Sequence, residues 1–247
     1  MRIVRRGVVG LLASGAFAML PAAVQAQNMA VPNYIYPPWS QMDAGAPVVS
    51  LSVMNPNSGP GSSFDQNYAS AVKTAQSAGV RVLGYVWTNY AGRSLAAAEA
   101  DITAYYNWYK VDGIFLDGAS TSCSQEGYYA TLYTFIKAKG GLGRVIINPG
   151  EQTSSCYTAA ADTIVNFEGS YSQYVGSYSA PSWVRSAPAS EFWQIIYGTS
   201  TSHLSNAVAL SKARNAGYVY VTSYGLPNPY GALPSTSYWN SELTAIG

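Results

Sequence analysis

Eight short apolar segments, each followed by polar residues, limit the folds that this chain of 247 residues can adopt. Several are continuous apolar runs, which is typical of strands buried on both faces of a parallel sheet. Helical patterns lie between them at residues 66–78, 95–109, 127–138 and 202–215. The predicted strands span residues 33–36, 48–54, 81–87, 113–117, 144–148, 163–168, 192–197 and 218–222.

Eight strands with helical connections predict an α/β fold, a (β/α)8 barrel of the TIM type, in a single domain over residues 27–247. A flavodoxin-like open sheet is the alternative, but such sheets normally carry fewer strands. No linker, low-complexity tract or internal repeat divides the chain. In a (β/α)8 barrel the active site lies at the carboxyl ends of the strands, so candidate functional residues are sought there.

Residues 1–26 are predicted to be a secretory signal peptide. Arg2, Arg5 and Arg6 form a basic head, residues 8–24 are apolar or small, and small residues precede a cleavage site after Ala26. The apolar stretch is shorter than the ~20 residues that a membrane span needs, so no membrane insertion is expected after cleavage. The mature protein is expected to be secreted, either to the periplasm or to the exterior, and to be a monomer.

The amino-acid composition argues against one class of binding partner and favours another. Without the three arginines of the signal, ten basic residues face twelve acidic ones, and no basic tract remains to bind nucleic acid. The chain contains 21 Tyr and 6 Trp, which suits a polysaccharide partner because aromatic faces stack on pyranose rings. The two cysteines, Cys123 and Cys156, predict one disulfide between the loops after the fourth and fifth strands.

The positions of the carboxylates select a catalytic pair. Most of the twelve fall on helices, where a solvated face is expected for residues such as Glu242, or at the amino ends of strands. Asp117 and Glu168 close apolar strands, where burying a carboxylate is costly unless it is paired or used. Glu151, after the fifth strand, is a weaker third candidate. Two carboxylates at nearby strand ends suit glycoside hydrolysis, in which one protonates the leaving oxygen and the other attacks or activates water.

The residues that other kinds of catalytic or cofactor-binding site require are scarce in this sequence. His203 is the only histidine, which leaves little for a Ser-His-Asp triad or a histidine-rich metal site. The glycine run at residues 140–143 precedes a strand, so it is not a dinucleotide fingerprint. No metal and no cofactor are predicted.

Substrate-binding residues are expected among the polar and aromatic side chains at or beyond strand ends. Tyr174, in the loop predicted after the sixth strand, is also expected to stack on a sugar ring. The predicted set is Tyr36, Trp39, Asn55, Trp87, Tyr90, Asn148, Glu151, Tyr171, Tyr224 and Tyr230.

Nine sequence blocks carry a resemblance to a known family. In chain order they are VPNYIYPPW, NPNSGPG, GYVWTNYAGR, DITAYYNWY, VDGIFLD, VIINPG, TIVNFE, YVT and PYGALPSTSYW. The chain resembles the spherulation-specific family four (spherulin-like) glycoside hydrolases, collinearly from Val31 to Trp239. This family is similar to hydrolases of galactosaminogalactan and of the bacterial Pel polysaccharide.

The resemblance implies a (β/α)8-type fold and internal cleavage of chains of α-1,4-linked N-acetylgalactosamine, often partly deacetylated. It also places catalytic acids at the ends of the fourth and sixth strands, which are Asp117 and Glu168 here. The family commonly has an Asp-Glu doublet at the fourth strand end, whereas this chain has Asp117-Gly118. If the missing Glu assists catalysis or binds a substrate amine, the activity or specificity of this chain differs from that of the family.

Three hypotheses follow. The first is an endo-acting glycosidase, retaining or inverting, with Glu168 as nucleophile or base and Asp117 as acid, or with these roles exchanged. The second is a non-catalytic polysaccharide-binding or cell-wall protein on the same fold, which Gly118 motivates. The third is a polysaccharide lyase or deacetylase.

Overall fold

The computed structural model describes residues 26–247, which fold into one closed barrel of eight parallel strands. Residues 1–25 of the predicted signal peptide lie outside the described residues. Each strand pairs with its neighbours in chain order, and β1 closes the barrel on β8. The strands are β1 Asn28–Asn33, β2 Val49–Met54, β3 Arg81–Trp87, β4 Gly113–Asp117, β5 Arg144–Asn148, β6 Thr163–Ser170, β7 Phe192–Tyr197 and β8 Tyr218–Val221.

Helices cover the outside of the barrel and connect its strands, as the (β/α)8 prediction requires. The fold prediction is therefore confirmed. The helices are α1 Ser40–Asp43, α2 Gln66–Ala78, α3 Leu95–Trp108, α4 Glu126–Lys137, α5 Tyr171–Gly176, α6 Ser182–Ser186, α7 Thr201–Ala213 and α8 Thr236–Ile246.

Apolar side chains fill the interior of the barrel and the space between its strands and the surrounding helices. Inside, the rings of Phe115 on β4 and Trp193 on β7 meet edge to face, with centroids 5.6 Å apart. Outside, α3 packs so closely on β3 that a Cβ at Gly84 would lie 2.4 Å from the ring of Tyr105. Glycine at position 84 thus lets a large buried ring sit directly on the sheet.

The first predicted strand was placed wrongly. The strand is Asn28–Asn33, not residues 33–36. The alternation of Tyr34 and Tyr36 imitates a strand, but closure of the barrel selects the buried run Met29–Val31, which pairs with β2. Tyr34 and Tyr36 instead lie in the segment that leaves the carboxyl end of β1.

Glu242 was expected on a solvated helix face, and this was wrong. It is fully buried on α8, and its Oε1 accepts the backbone N–H of Val221 at 2.6 Å. Burial raises the pKa of this carboxyl well above its usual range, because the charged form would lose its hydration. The contact anchors α8 to the end of β8.

The predicted disulfide is confirmed. Cys123 follows β4 and Cys156 follows β5, their sulfurs are bonded, and their Cα atoms are 5.9 Å apart. The bond joins two loops at the carboxyl ends of the strands. Among the helices of residues 26–247, none combines the length and apolar character that crossing a membrane requires.

Candidate active site

The two predicted catalytic carboxylates lie at the same end of the barrel. Asp117 is the last residue of β4, and Glu168 lies near the end of β6. The strand between them, β5, ends at Asn148, which pairs in register with Asp117. Because all the strands are parallel, these three side chains meet at the end where (β/α)8 proteins bind their substrates.

The side chain of Asn148 bridges the two carboxylates. Its amide nitrogen donates to Asp117 Oδ1 at 2.9 Å and to Glu168 Oε2 at 2.6 Å. The backbone N–H of Gly150 donates to the amide oxygen at 2.9 Å, which turns the NH2 group toward the carboxylates. The two bridged oxygens therefore lie within about 5.5 Å of each other, the two hydrogen bonds laid end to end.

Two tyrosines hold the other carboxylate oxygens. The Tyr85 hydroxyl donates to Asp117 Oδ2 at 2.6 Å, and the Tyr230 hydroxyl donates to Glu168 Oε1 at 2.6 Å. Tyr34 lies between these two tyrosines. Its ring packs edge-on against Tyr85 at a centroid distance of 5.6 Å and against Tyr230 at 5.7 Å. Each carboxylate thus has one tyrosine of its own and shares the Asn148 amide.

Burial raises the pKa of both carboxyl groups above their usual values. The Asp117 carboxylate accepts hydrogen bonds from Tyr85 and Asn148, and these, with the nearby backbone of Gly118, oppose the effect of burial on its pKa. Two hydrogen bonds do the same for Glu168, but the negative charge of Asp117 raises the pKa of Glu168 further. The two carboxyl groups are close enough that ionisation of one disfavours ionisation of the other.

The segment after β3 is fixed against the end of β4. The N–H of Thr88 donates to the carbonyl of Asp117 at 2.9 Å, and the N–H of Tyr90 donates to the carbonyl of Gly118 at 2.6 Å. All three residues of the turn Asn89–Ala91 have positive φ, a conformation that costs a non-glycine residue about 1–2 kcal/mol. Strained backbone of this kind concentrates at functional sites.

Trp87 and Tyr90 are exposed aromatic rings next to Asp117, with 44% and 64% of their surfaces accessible. Gly118, with φ at +58°, lies directly under Trp87, and a Cβ there would be 3.0 Å from the indole Nε1. The glycine at this position therefore leaves room for the indole. These two rings have the exposure that stacking on a sugar requires, as does Tyr224 on the opposite side of the barrel end.

Three predicted stacking residues are buried, so the stacking prediction was wrong for Trp39, Tyr174 and Tyr230. Tyr230 instead donates to Glu168. Trp39 packs in the core, and its Nε1–H donates to the carbonyl of Ile35 at 2.9 Å. Tyr174 is fully buried, and its hydroxyl donates to Gln194. The segment before α1 and the helix α5 pack onto the barrel at these points, which removes the rings of Trp39 and Tyr174 from solvent.

Other predicted residues reach the same end of the barrel without contacting the carboxylates. Asn55 Oδ1 accepts the N–H of Gly59 at 3.2 Å and so shapes the loop after β2. Glu151 is exposed and makes no hydrogen bond or ion pair within residues 26–247. Tyr171 stacks on His203 at 4.6 Å. Their binding of substrate stays a prediction, as does that of Tyr36, which lies in a separate cavity described below.

Tyr34 and Tyr85 were missing from the predicted site. The register of the strands gives a signal for Tyr85, since it pairs with Phe115, two residues before Asp117. No comparable signal exists for Tyr34, because its position depends on how the chain leaves β1. Within the described residues, no three His, Cys, Asp or Glu side chains come together as a metal site.

The sequence and the fold match known proteins. The family model "Spherulation-specific family 4" matches residues 28–246. Spherulin-4 of Physarum polycephalum is 35% identical over 234 residues, which cover 89% of this chain and 70% of that protein. Sph3 of Aspergillus clavatus, solved in complex with GalNAc, is 26% identical with a TM-score of 0.79, over 90% of this chain and 98% of that one.

More distant structures share the barrel. A chitinase of Chromobacterium violaceum is 11% identical with a TM-score of 0.60, over 88% of this chain and 99% of its own. A family GH18 chitinase domain of the fern Peteris ryukyuensis is 17% identical with a TM-score of 0.58, over 87% and 99%. These two show the fold alone. From the family model and the relative at 35% identity, the chain belongs to spherulation-specific family 4.

Proposed function

We propose that this protein is a secreted, endo-acting glycoside hydrolase that cleaves a polysaccharide of α-1,4-linked N-acetylgalactosamine and galactosamine. Its similarity to Sph3 and the shared (β/α)8 barrel support a polysaccharide-acting glycosidase. The observation that carries the proposal is the pair Asp117 and Glu168, joined by the amide of Asn148. The disulfide fits an extracellular location, where such bonds persist.

The spacing of the carboxylates supports a retaining mechanism. Carboxyl groups of retaining glycosidases lie about 5–5.5 Å apart, whereas inverting enzymes separate them by about 6.5–9.5 Å to admit a water. The limit of about 5.5 Å between the two oxygens bridged by Asn148 agrees with the shorter range.

The negative charge of Asp117, which raises the pKa of Glu168, supports one assignment of roles. In this assignment Glu168 is the acid and donates its proton to the glycosidic oxygen as the leaving sugar departs. Asp117, ionised and held by hydrogen bonds from Tyr85 and Asn148, attacks the anomeric carbon and forms a glycosyl ester. Glu168, now ionised, takes a proton from water, and the resulting hydroxide releases the sugar from Asp117.

The choice of sugar rests on the family. Sph3 binds GalNAc in its crystal structure, and 26% identity over 90% of this chain supports a related sugar here. Two exposed rings beside Asp117, Trp87 and Tyr90, offer apolar faces for pyranose rings. Without the three arginines of residues 1–26, acidic residues slightly outnumber basic ones, which also suits a neutral or weakly cationic glycan.

The test is mass spectrometry of products after incubation with partly deacetylated poly-galactosamine. We expect oligosaccharides from the wild type and at least about 100-fold less from Glu168→Gln and from Asp117→Asn. Glu99→Gln is the matched control, because it neutralises a half-buried carboxylate on α3, outside the barrel. Polymer binding without products would identify a non-catalytic binding protein, whereas loss of activity in Glu151→Gln alone would overturn the assigned pair.

A further inference from the structure

A cavity of about 490 Å³ lies at the same end of the barrel as the carboxylates but does not include them. Its walls are Tyr36, which follows β1, and residues 56–68 of the connection from β2 into α2, together with Tyr109. The volume is typical of cavities that bind small molecules, about 300–1,000 Å³. We call it the Tyr36 cavity.

Two exposed aromatic rings line the Tyr36 cavity. Tyr36 has 55% and Phe64 has 48% of its surface accessible. Both rings are braced from behind, because Phe64 stacks on Tyr109 at 6.1 Å and Tyr36 packs edge-on against Tyr68 at 5.3 Å. The cavity therefore presents two fixed apolar faces to water, and covering them on binding is favourable.

Polar groups surround the Tyr36 ring. Its hydroxyl donates to Asp65 Oδ2 at 3.2 Å and accepts from the Asn67 amide at 2.6 Å. Asp65 is itself fixed, since its Oδ1 accepts the backbone N–H of Asn67 at 2.8 Å. It is the only charged residue in the lining. A carboxylate that accepts hydrogen bonds beside flat apolar rings suits a pyranose, whose C–H face is apolar and whose rim carries hydroxyl or amine donors.

The Tyr36 cavity is also close to the site of reaction. Tyr36 follows Tyr34 by two residues, so their Cα atoms are at most about 7 Å apart. The ring of Tyr34 contacts Tyr85 and Tyr230, which hold the two carboxylates. One polysaccharide chain that lies across the carboxylates can therefore reach the cavity with a unit a short distance along its length.

We propose that the Tyr36 cavity is a second sugar-binding site, which holds a distal unit of the same polysaccharide chain that is cleaved between Asp117 and Glu168. This rests on the proposed function and adds to it a dependence on chain length. Oligosaccharides that reach the cavity bind more tightly than shorter ones, because the rings of Tyr36 and Phe64 contact only the longer chains.

The experiment measures binding of purified oligosaccharides of increasing length to the full chain carrying Glu168→Gln. We expect the affinity to rise once the oligosaccharide reaches the cavity, and Tyr36→Ala with Phe64→Ala to remove that rise, a loss of about 3- to 10-fold. Short oligosaccharides should bind equally to both forms. Leu142→Ala is the control, because it removes an exposed apolar side chain at the opposite end of the barrel, before β5.

Three outcomes are distinguishable. Loss of affinity confined to long oligosaccharides supports the second site. Equal affinity of the double variant and its parent at every length overturns the second site, while the proposed hydrolase stands if the wild type yields products. No binding at any length, together with no products from the wild type, overturns both proposals.

Discussion

Replacing Tyr230 with Phe tests which of the two carboxyl groups, Asp117 or Glu168, acts as the acid. The Tyr230 hydroxyl donates to Glu168 Oε1 at 2.6 Å, and this hydrogen bond lowers the pKa of Glu168. A hydrogen bond to a charged group contributes about 1.5–3 kcal/mol, part of which remains when the carboxyl is protonated. Because 1.36 kcal/mol corresponds to one pKa unit, we expect the pKa of Glu168 to rise by about one unit.

The assay is the dependence of kcat/KM on pH. A bell-shaped profile has a basic limb set by the acid and an acidic limb set by the nucleophile. We expect Tyr230→Phe to move the basic limb about one pH unit higher, because Glu168 then loses its proton later. Tyr85→Phe is the matched variant, since its hydroxyl donates to Asp117 at 2.6 Å and its removal raises the acidic limb instead.

The two variants together refute or support the roles. Both remove one oxygen and leave the ring that packs against Tyr34. If Tyr230→Phe moves the acidic limb and Tyr85→Phe moves the basic one, the roles of Asp117 and Glu168 are the reverse of those proposed. If neither limb moves, these carboxylates do not set the pH dependence, and the inference from their hydrogen bonds is wrong.

Three further predictions concern stability. Glu242→Gln should be more stable than the wild type at neutral pH, as measured by urea unfolding. In the wild type the buried acid keeps its proton while the unfolded chain releases it, so the free energy of unfolding falls as pH rises above about 4.5. The variant should lose less stability over the same pH range. Gly118→Ala should lower the free energy of unfolding by about 1–2 kcal/mol and change the fluorescence of Trp87, since φ at +58° disfavours alanine and the indole is in the way. Replacing Cys123 and Cys156 with Ser should cost about 3–4 kcal/mol in the same assay, because the bond closes a loop with a sequence separation of 33.

The sequence is enough to predict the barrel because its strands are short, apolar and regularly spaced. Seven of the eight lie where the apolar runs predict them, and the first is displaced by a few residues. The displacement has a physical cause: a strand pattern at 33–36 competes with the buried run Met29–Val31, and only pairing with β2 and β8 decides between them. Short helices such as α5 and α6 span too few residues for a helical period to appear.

The site is only partly predictable for a related reason. Asp117 and Glu168 follow from the cost of burying a carboxylate at a strand end, and Asn148 follows from its place at the next strand end. The hydrogen bonds from Asn148 to both carboxylates depend on the register between neighbouring strands, which cannot be read from the sequence. The burial of Trp39 and of Glu242 depends on how a loop and the last helix pack onto the barrel, and a residue's local pattern carries no information on either.

The most direct test of the proposed mechanism is to trap the glycosyl ester. Glu168→Gln removes the group that activates water, so a galactosaminide with a good leaving group should load the protein and release its sugar slowly. Intact mass should increase by one sugar unit, and peptide mapping should place that unit on Asp117. A sugar bound to another residue, or steady product without any covalent species, would contradict the assignment of Asp117 as the nucleophile.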